Sequence, residues 1–167
     1  MPRVHVKKAR KDYPNAGIKK GDTYYSWSFR YGGKRMSKTK PRPSQLTLSK
    51  MSEAYAASEA LEDTIASAST PEELKEALEQ AAEEITAVAD EYQSSMENMI
   101  AQAGQIYEDM EQKVSDLQDW ASALESDVGE IESMDDYESF EKLNADAQSE
   151  LMDQAKELAS QNSSPQF

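Results

Sequence analysis

A chain of 167 residues with 32 acidic and 18 basic side chains carries a net charge of −14, no cysteine and one histidine, His5. That composition excludes disulfides, thiolate metal sites and cysteine nucleophiles, and it leaves no second imidazole for a His-paired zinc site or a Glu-x-x-His di-iron set. Every common catalytic constellation lacks a member, so the expectation is a non-enzymatic protein with no cofactor and no metal.

The mean charge hides a division. Residues 1–43 hold 13 of the Lys and Arg against only Asp12 and Asp22, a net +11, whereas the remainder holds 5 basic and 30 acidic residues, a net −25. A cationic head on an anionic body implies a polyanion at one end and a soluble, self-repelling stalk at the other. At low salt the two should also attract, so removing residues 44–167 is expected to tighten the head on a polyanion. The opening Met-Pro-Arg-Val-His-Val-Lys-Lys lacks the apolar centre of a secretory signal, and no apolar run approaches spanning length. The expectation is a cytoplasmic protein with no membrane partner.

In chain order, Val4-His5-Val6 reads as a short strand, and 12–17 and 19–22 read as turns rich in Pro, Asn and Gly. Residues 23–31, Thr-Tyr-Tyr-Ser-Trp-Ser-Phe-Arg-Tyr, alternate and place aromatics on one face of a strand. Gly32-Gly33 is a two-residue hairpin signal, with residues 34–39 as the return strand. The hairpin is expected to be basic on one side and aromatic on the other, with Arg30 close to Lys34, Arg35 and Lys38. Tyr25, Trp27, Phe29 and Tyr31 can either stack on bases or form the head's own core; the two roles are compatible.

Lys40-Pro41-Arg42-Pro43 is an extended boundary. Ser44 is expected to cap a helix over 45–68. Thr70, Pro71 and Glu73 then form a capping box that opens the best-marked helix of the chain. From Leu74 to Ile131, through Leu78, Ile85, Val88, Tyr92, Met99, Ala103, Met110, Leu117 and Leu124 among others, apolar residues recur in steps of 3 or 4 only. One helix of that extent would be on the order of 90 Å long and would need partner helices throughout. Gly104, near its midpoint, is the expected bend, and a sharp bend there turns the rod into a bundle. Residues 133–136 resemble another helix start, and 161–167 look frayed.

The stretch Gly21–Arg35 with Ser37-Lys38-Thr39 resembles the small three-stranded arm-binding domain of phage integrases and the related AP2 domain. That resemblance implies a sheet lying in the DNA major groove, with Arg30, Lys34, Arg35 and Lys38 on the DNA and Trp27 packing the sheet on its helix. No recombinase catalytic region follows. Through Pro41-Arg42-Pro43-Ser44-Gln45-Leu46-Thr47 the head is also similar to the starts of small uncharacterised tailed-phage proteins, which implies a phage origin.

The expected fold is mostly α: a long helical coiled coil or elongated helical bundle with a small N-terminal β-hairpin head of two or three strands. Its parts are a basic head (1–43), a connecting helix (44–69), a long acidic helix (70–132) and a C-terminal helix with a frayed end (133–167). The expected function is a nucleic-acid-binding adaptor that grips DNA or RNA through Lys7, Lys8, Arg10, Lys11, Lys19, Lys20, Arg30, Lys34, Arg35 and Lys38. Its helices bind a protein partner or self-associate into a homo-oligomer. The alternative is a phage-encoded inhibitor of a host nucleic-acid enzyme, with the acidic body mimicking DNA, or a structural coiled-coil component.

Overall fold

Period-2 alternation in residues 23–29 yields the central strand of a three-stranded antiparallel sheet in the computed structural model, which describes residues 1–98 and 104–165. The strands are β1 (His5–Lys8), β2 (Thr23–Phe29) and β3 (Gly33–Ser37), in the order β1-β2-β3. Two compact units divide the chain, Met1–Ser52 and Glu53–Phe167. The protein is mostly α with a small β head.

In the head, the turn is one residue longer than the Gly32-Gly33 signal suggests and begins two residues earlier. Phe29 pairs with Gly33, so residues 30–32 form a three-residue loop. Gly33 closes it with a φ of 74°, a conformation that favours glycine. At Gly32 an added Cβ would lie 2.9 Å from the end of the exposed Leu48 side chain and 3.2 Å from Phe29 Cβ, a close approach of loop and neighbours.

Both faces of the sheet are covered, where the alternation suggested one. Tyr24 is buried with Ala9 and Ile18, and Tyr13, Ala16 and Met36 pack around them. On the opposite face Trp27 is buried, while Tyr31 in the loop is 87% exposed and forms no part of the core.

The connecting helix starts later than expected. Pro43–Leu46 is a single 3-10 turn, closed by Gln45 Oε1 accepting the Arg42 N–H at 3.1 Å. Thr47 is extended, and its Oγ1 donates to the Pro43 carbonyl at 3.1 Å, which ends the turn before it can propagate. Helix α1 therefore runs Met51–Ser67 and not from Gln45.

The apolar stripe is divided between two helices, α2 (Pro71–Glu97) and α3 (Gln105–Glu132). Gly104, at the N-cap of α3, has a φ of 51°, which interrupts a helix at the residue where the bend was expected. Met99 and Ala103 of the stripe lie outside the described residues. The helices are antiparallel: Lys75 Nζ meets Glu132 Oε1 at 2.8 Å at one end, and Lys113 Nζ lies 6.0 Å from the centre of the Tyr92 ring towards the other. Leu74, Leu78, Ile85, Leu117, Leu124 and Ile131 are fully buried, so at these positions the stripe finds its partners within the same chain.

Burial falls along this hairpin. Met96, Met110 and Val114 are only half-buried and Ile106 is 59% exposed. The α1 residues Ala57, Leu61 and Thr64 lie beside Ala77, Ala81 and Glu84 of α2, at the better-covered end.

The C-terminal helix begins later than residues 133–136 suggested. Asp136 takes a φ of 66°, Tyr137–Lys142 is a 3-10 segment, and Leu143 is extended. Asn144 caps α4 (Ala145–Gln161), its side chain accepting from the Ala147 N–H at 2.9 Å. Of the end expected to fray, residues 162–164 are tied down, and residues 166 and 167 lie outside the described residues. Asn162 Nδ2 donates to both carboxylate oxygens of Asp127, at 3.0 and 3.1 Å, and its carbonyl accepts from Trp120 Nε1 at 2.7 Å. Ser58 Oγ of α1 donates to the Ser163 carbonyl at 2.7 Å.

Candidate nucleic-acid interface

The ten candidate cations reach the surface by different routes. Lys7 and Lys8 lie in β1, and Arg10 and Lys11 follow it. Lys19 and Lys20 occupy the turn before β2, Arg30 the hairpin loop, Lys34 and Arg35 the strand β3, and Lys38 its exit. All ten are exposed.

The register decides which of them share a face. Cross-strand partners point the same way, so Lys7 (opposite Tyr24) and Lys34 (opposite Ser28) lie on one face. Lys8 (opposite Thr23) and Arg35 (opposite Trp27) lie on the other. A basic side set against an aromatic side does not result, because neighbours in β3 alternate and Arg35 lands among Tyr25, Trp27 and Phe29. The guanidinium of Arg35 sits 5.8 Å from the centre of the Phe29 ring, and that of Arg30 sits 5.3 Å from the exposed Tyr31 ring. Cation and aromatic are interleaved.

The head's two acids have local work. Asp12 Oδ1 accepts the Lys20 N–H at 2.6 Å, and Asp22 Oδ2 accepts the Lys19 N–H at 3.1 Å, so the pair pins the turn that presents Lys19 and Lys20. The Lys19 N–H, with the Lys38 ammonium 3.2 Å away, holds the Asp22 carboxyl below the usual carboxylate range. Lys38 is thus partly neutralised within the head, a pairing that its position in the sequence did not reveal. The strand-like pair Tyr13–Ile18, with hydrogen bonds of 2.7 and 3.2 Å, makes the segment ahead of β2 a built cover for Tyr24.

That cover and the edge strand β3 enclose a pocket of about 640 Å³. Tyr13, Trp27 and Met36 give it apolar wall, and Lys11 and Arg35 contribute cations. Asn15, from the 3-10 turn Pro14–Ala16, and Gln45 contribute amides. The Lys11 ammonium lies 5.7 Å from the centre of the Tyr13 ring. Trp27 is 4% exposed, and its Nε1–H has no hydrogen-bond partner among the described residues. Sequence reading found Lys11, Arg35 and Trp27 but not Asn15 or Gln45, since Pro14-Asn15 signals only a turn and Gln45 only a helix.

The chain matches no protein-family model, no curated protein and no solved structure. What the head can do therefore rests on its own charge and geometry. Among the described residues no three His, Asp or Glu side chains converge as a metal site would require, and no helix is long and apolar enough to cross a membrane.

Proposed function

We propose that this protein is a non-enzymatic nucleic-acid-binding adaptor, whose head holds DNA or RNA and whose acidic helical unit carries a partner-binding or self-associating surface. The observation that carries the reading is the interleaving of exposed Lys and Arg with aromatic rings on a three-stranded sheet whose unit has only two acids. Cations supply sequence-independent phosphate affinity, and rings add stacking area. The apolar stripe of α2 and α3 is buried within the chain at Leu74, Leu78, Leu124 and Ile131, which leaves a partner the half-covered end near Met96, Ile106 and Met110 and the outer faces, where Glu83, Glu84, Asp90 and Glu91 are exposed. A phage-encoded adaptor acting in a host cytoplasm is the setting this proposal takes, on the resemblance of the head's sequence to tailed-phage proteins alone.

Replacing Arg30, Lys34 and Arg35 together by Gln tests the reading, with binding to a labelled oligonucleotide followed by fluorescence anisotropy. The expected result is a loss of at least about ten-fold and a salt slope shallower by roughly 2 to 3. Unchanged affinity would remove the head from the interface. The net −25 outside the head favours a second reading, an acidic inhibitor of a nucleic-acid enzyme, and the absence of any nucleic-acid binding would favour it over the first.

A further inference from the structure

Within the head, the pocket between the 3-10 turn Pro14–Ala16 and strand β3 combines three features that a phosphate-binding surface does not need. It is concave and large enough for a nucleotide, at about 640 Å³. Its wall includes two aromatic side chains, Tyr13 and Trp27. One of these holds a buried donor, Trp27 Nε1–H, that no acceptor satisfies among the described residues. A buried N–H without an acceptor is a standing cost, relieved when a ligand oxygen or ring nitrogen arrives.

We propose that this pocket takes one unpaired base of a single-stranded nucleic acid, so that the head prefers single strands to duplex. The inference rests on the nucleic-acid reading above and narrows it. A base offers what the wall lacks: a flat π-face for Tyr13 and acceptors on its edge for Trp27 Nε1–H. Asn15 offers both a donor and an acceptor, and Gln45 keeps its amide N–H while its Oε1 serves the Arg42 N–H. Lys11 and Arg35 stand where the flanking phosphates of an entering strand would need cations. A paired base in a duplex presents neither a free face nor a free Watson–Crick edge to such a pocket, whereas a single strand presents both.

The full-length protein would be titrated at fixed salt with a thymidine strand of about 12 nucleotides, an abasic strand of equal length and the corresponding duplex. The thymidine strand is expected to bind about ten-fold more tightly than the abasic strand. The variants Trp27→Phe and Asn15→Ala are each expected to shrink that ratio several-fold while leaving abasic-strand affinity unchanged. Trp27→Phe removes the orphan donor but also leaves a smaller ring in a buried place; Asn15, exposed on its turn, gives an independent variant should the Phe packing fail. Equal affinity for thymidine and abasic strands, tighter binding of the duplex, or unchanged ratios in both variants would overturn the pocket proposal and leave the adaptor reading intact. Failure of all three probes to bind would overturn both.

Discussion

Asp127 is the most demanding side chain of the helical unit: a carboxylate on α3 that is only 5% exposed. Burial pushes its carboxyl above the usual range, partly opposed by the Asn162 amide, with Glu130 adding repulsion. A carboxyl raised in the folded state costs stability above its folded pKa, and that cost disappears as pH falls towards the unfolded value. Asp127→Asn is therefore expected to raise stability at pH 7 and to flatten the pH dependence of thermal unfolding on the acid side. Asp127→Ala is expected to cost about 1–3 kcal/mol instead, because the Asn162 amide loses its acceptor in a buried place. Thermal melts of the three proteins between about pH 4 and 8 would check both signs; a D127N protein less stable than wild type at pH 7 would show that the carboxylate's hydrogen bonds outweigh its burial.

Tyr137 and Lys75 form a second node, at the start of α2. The Tyr137 hydroxyl donates to Glu72 Oε2, and its pKa is pushed up to about 12, by burial first and by that carboxylate second. Lys75 is raised as well, chiefly by its contact with Glu132. Tyr137 therefore stays neutral and Lys75 stays charged through the physiological range.

Helix starts and helix coverage decide stability at the next scale. Thr70 Oγ1 accepts the Glu73 N–H at 3.3 Å, while the Glu73 carboxylate accepts the Ser69 N–H at 2.7 Å, which lowers the Glu73 pKa. A lowered carboxyl contributes stability above its unfolded pKa and loses it as pH falls through the folded one. Thr70→Ala is expected to cost about 1 kcal/mol, read as a lower denaturant midpoint at unchanged m-value. No shift in midpoint would mean that Pro71 and the Glu73 contact alone suffice to start α2.

The α2–α3 hairpin should be unequal along its length. Near Leu74, Leu78, Leu124 and Ile131 it is fully covered; near Met96, Met110 and Val114 it is half covered. Amide hydrogen exchange is expected to be slower at the covered end, by at least about ten-fold for interior helix amides. Uniform protection along both helices would indicate a further cover, such as a second copy of the chain.

Across the whole molecule, what could be read in advance was whatever one stretch of sequence encodes by itself. Alternation in residues 23–29 marks a strand, Thr70-Pro71 marks a helix start, and spacings of 3 and 4 from Leu74 to Ile131 mark a helical stripe. The same spacing serves one long helix or two antiparallel ones, because an antiparallel pair buries the same positions. Only Gly104 carried the difference. Features that join distant segments left no local mark: Asp127 with Asn162, Ser58 with Ser163, and a pocket shared by Asn15, Arg35 and Gln45. The start of α1 was missed because a single 3-10 turn satisfies the same cap-like residues that could open a helix. Charge was legible as a difference between segments, but its division over the two faces of the sheet depends on register, which the three-residue loop at 30–32 sets differently from a Gly32-Gly33 turn.

Phosphate contact by the cationic head is the claim on which the functional account depends, and salt reads it directly. Affinity of the full-length protein for a single-stranded oligonucleotide, measured over roughly 50 to 300 mM monovalent salt, should fall along a straight line in log–log form with a slope steeper than about −3, corresponding to at least four phosphates at roughly 0.7 per contact. A slope near zero, or no measurable binding at the lowest salt, would contradict it.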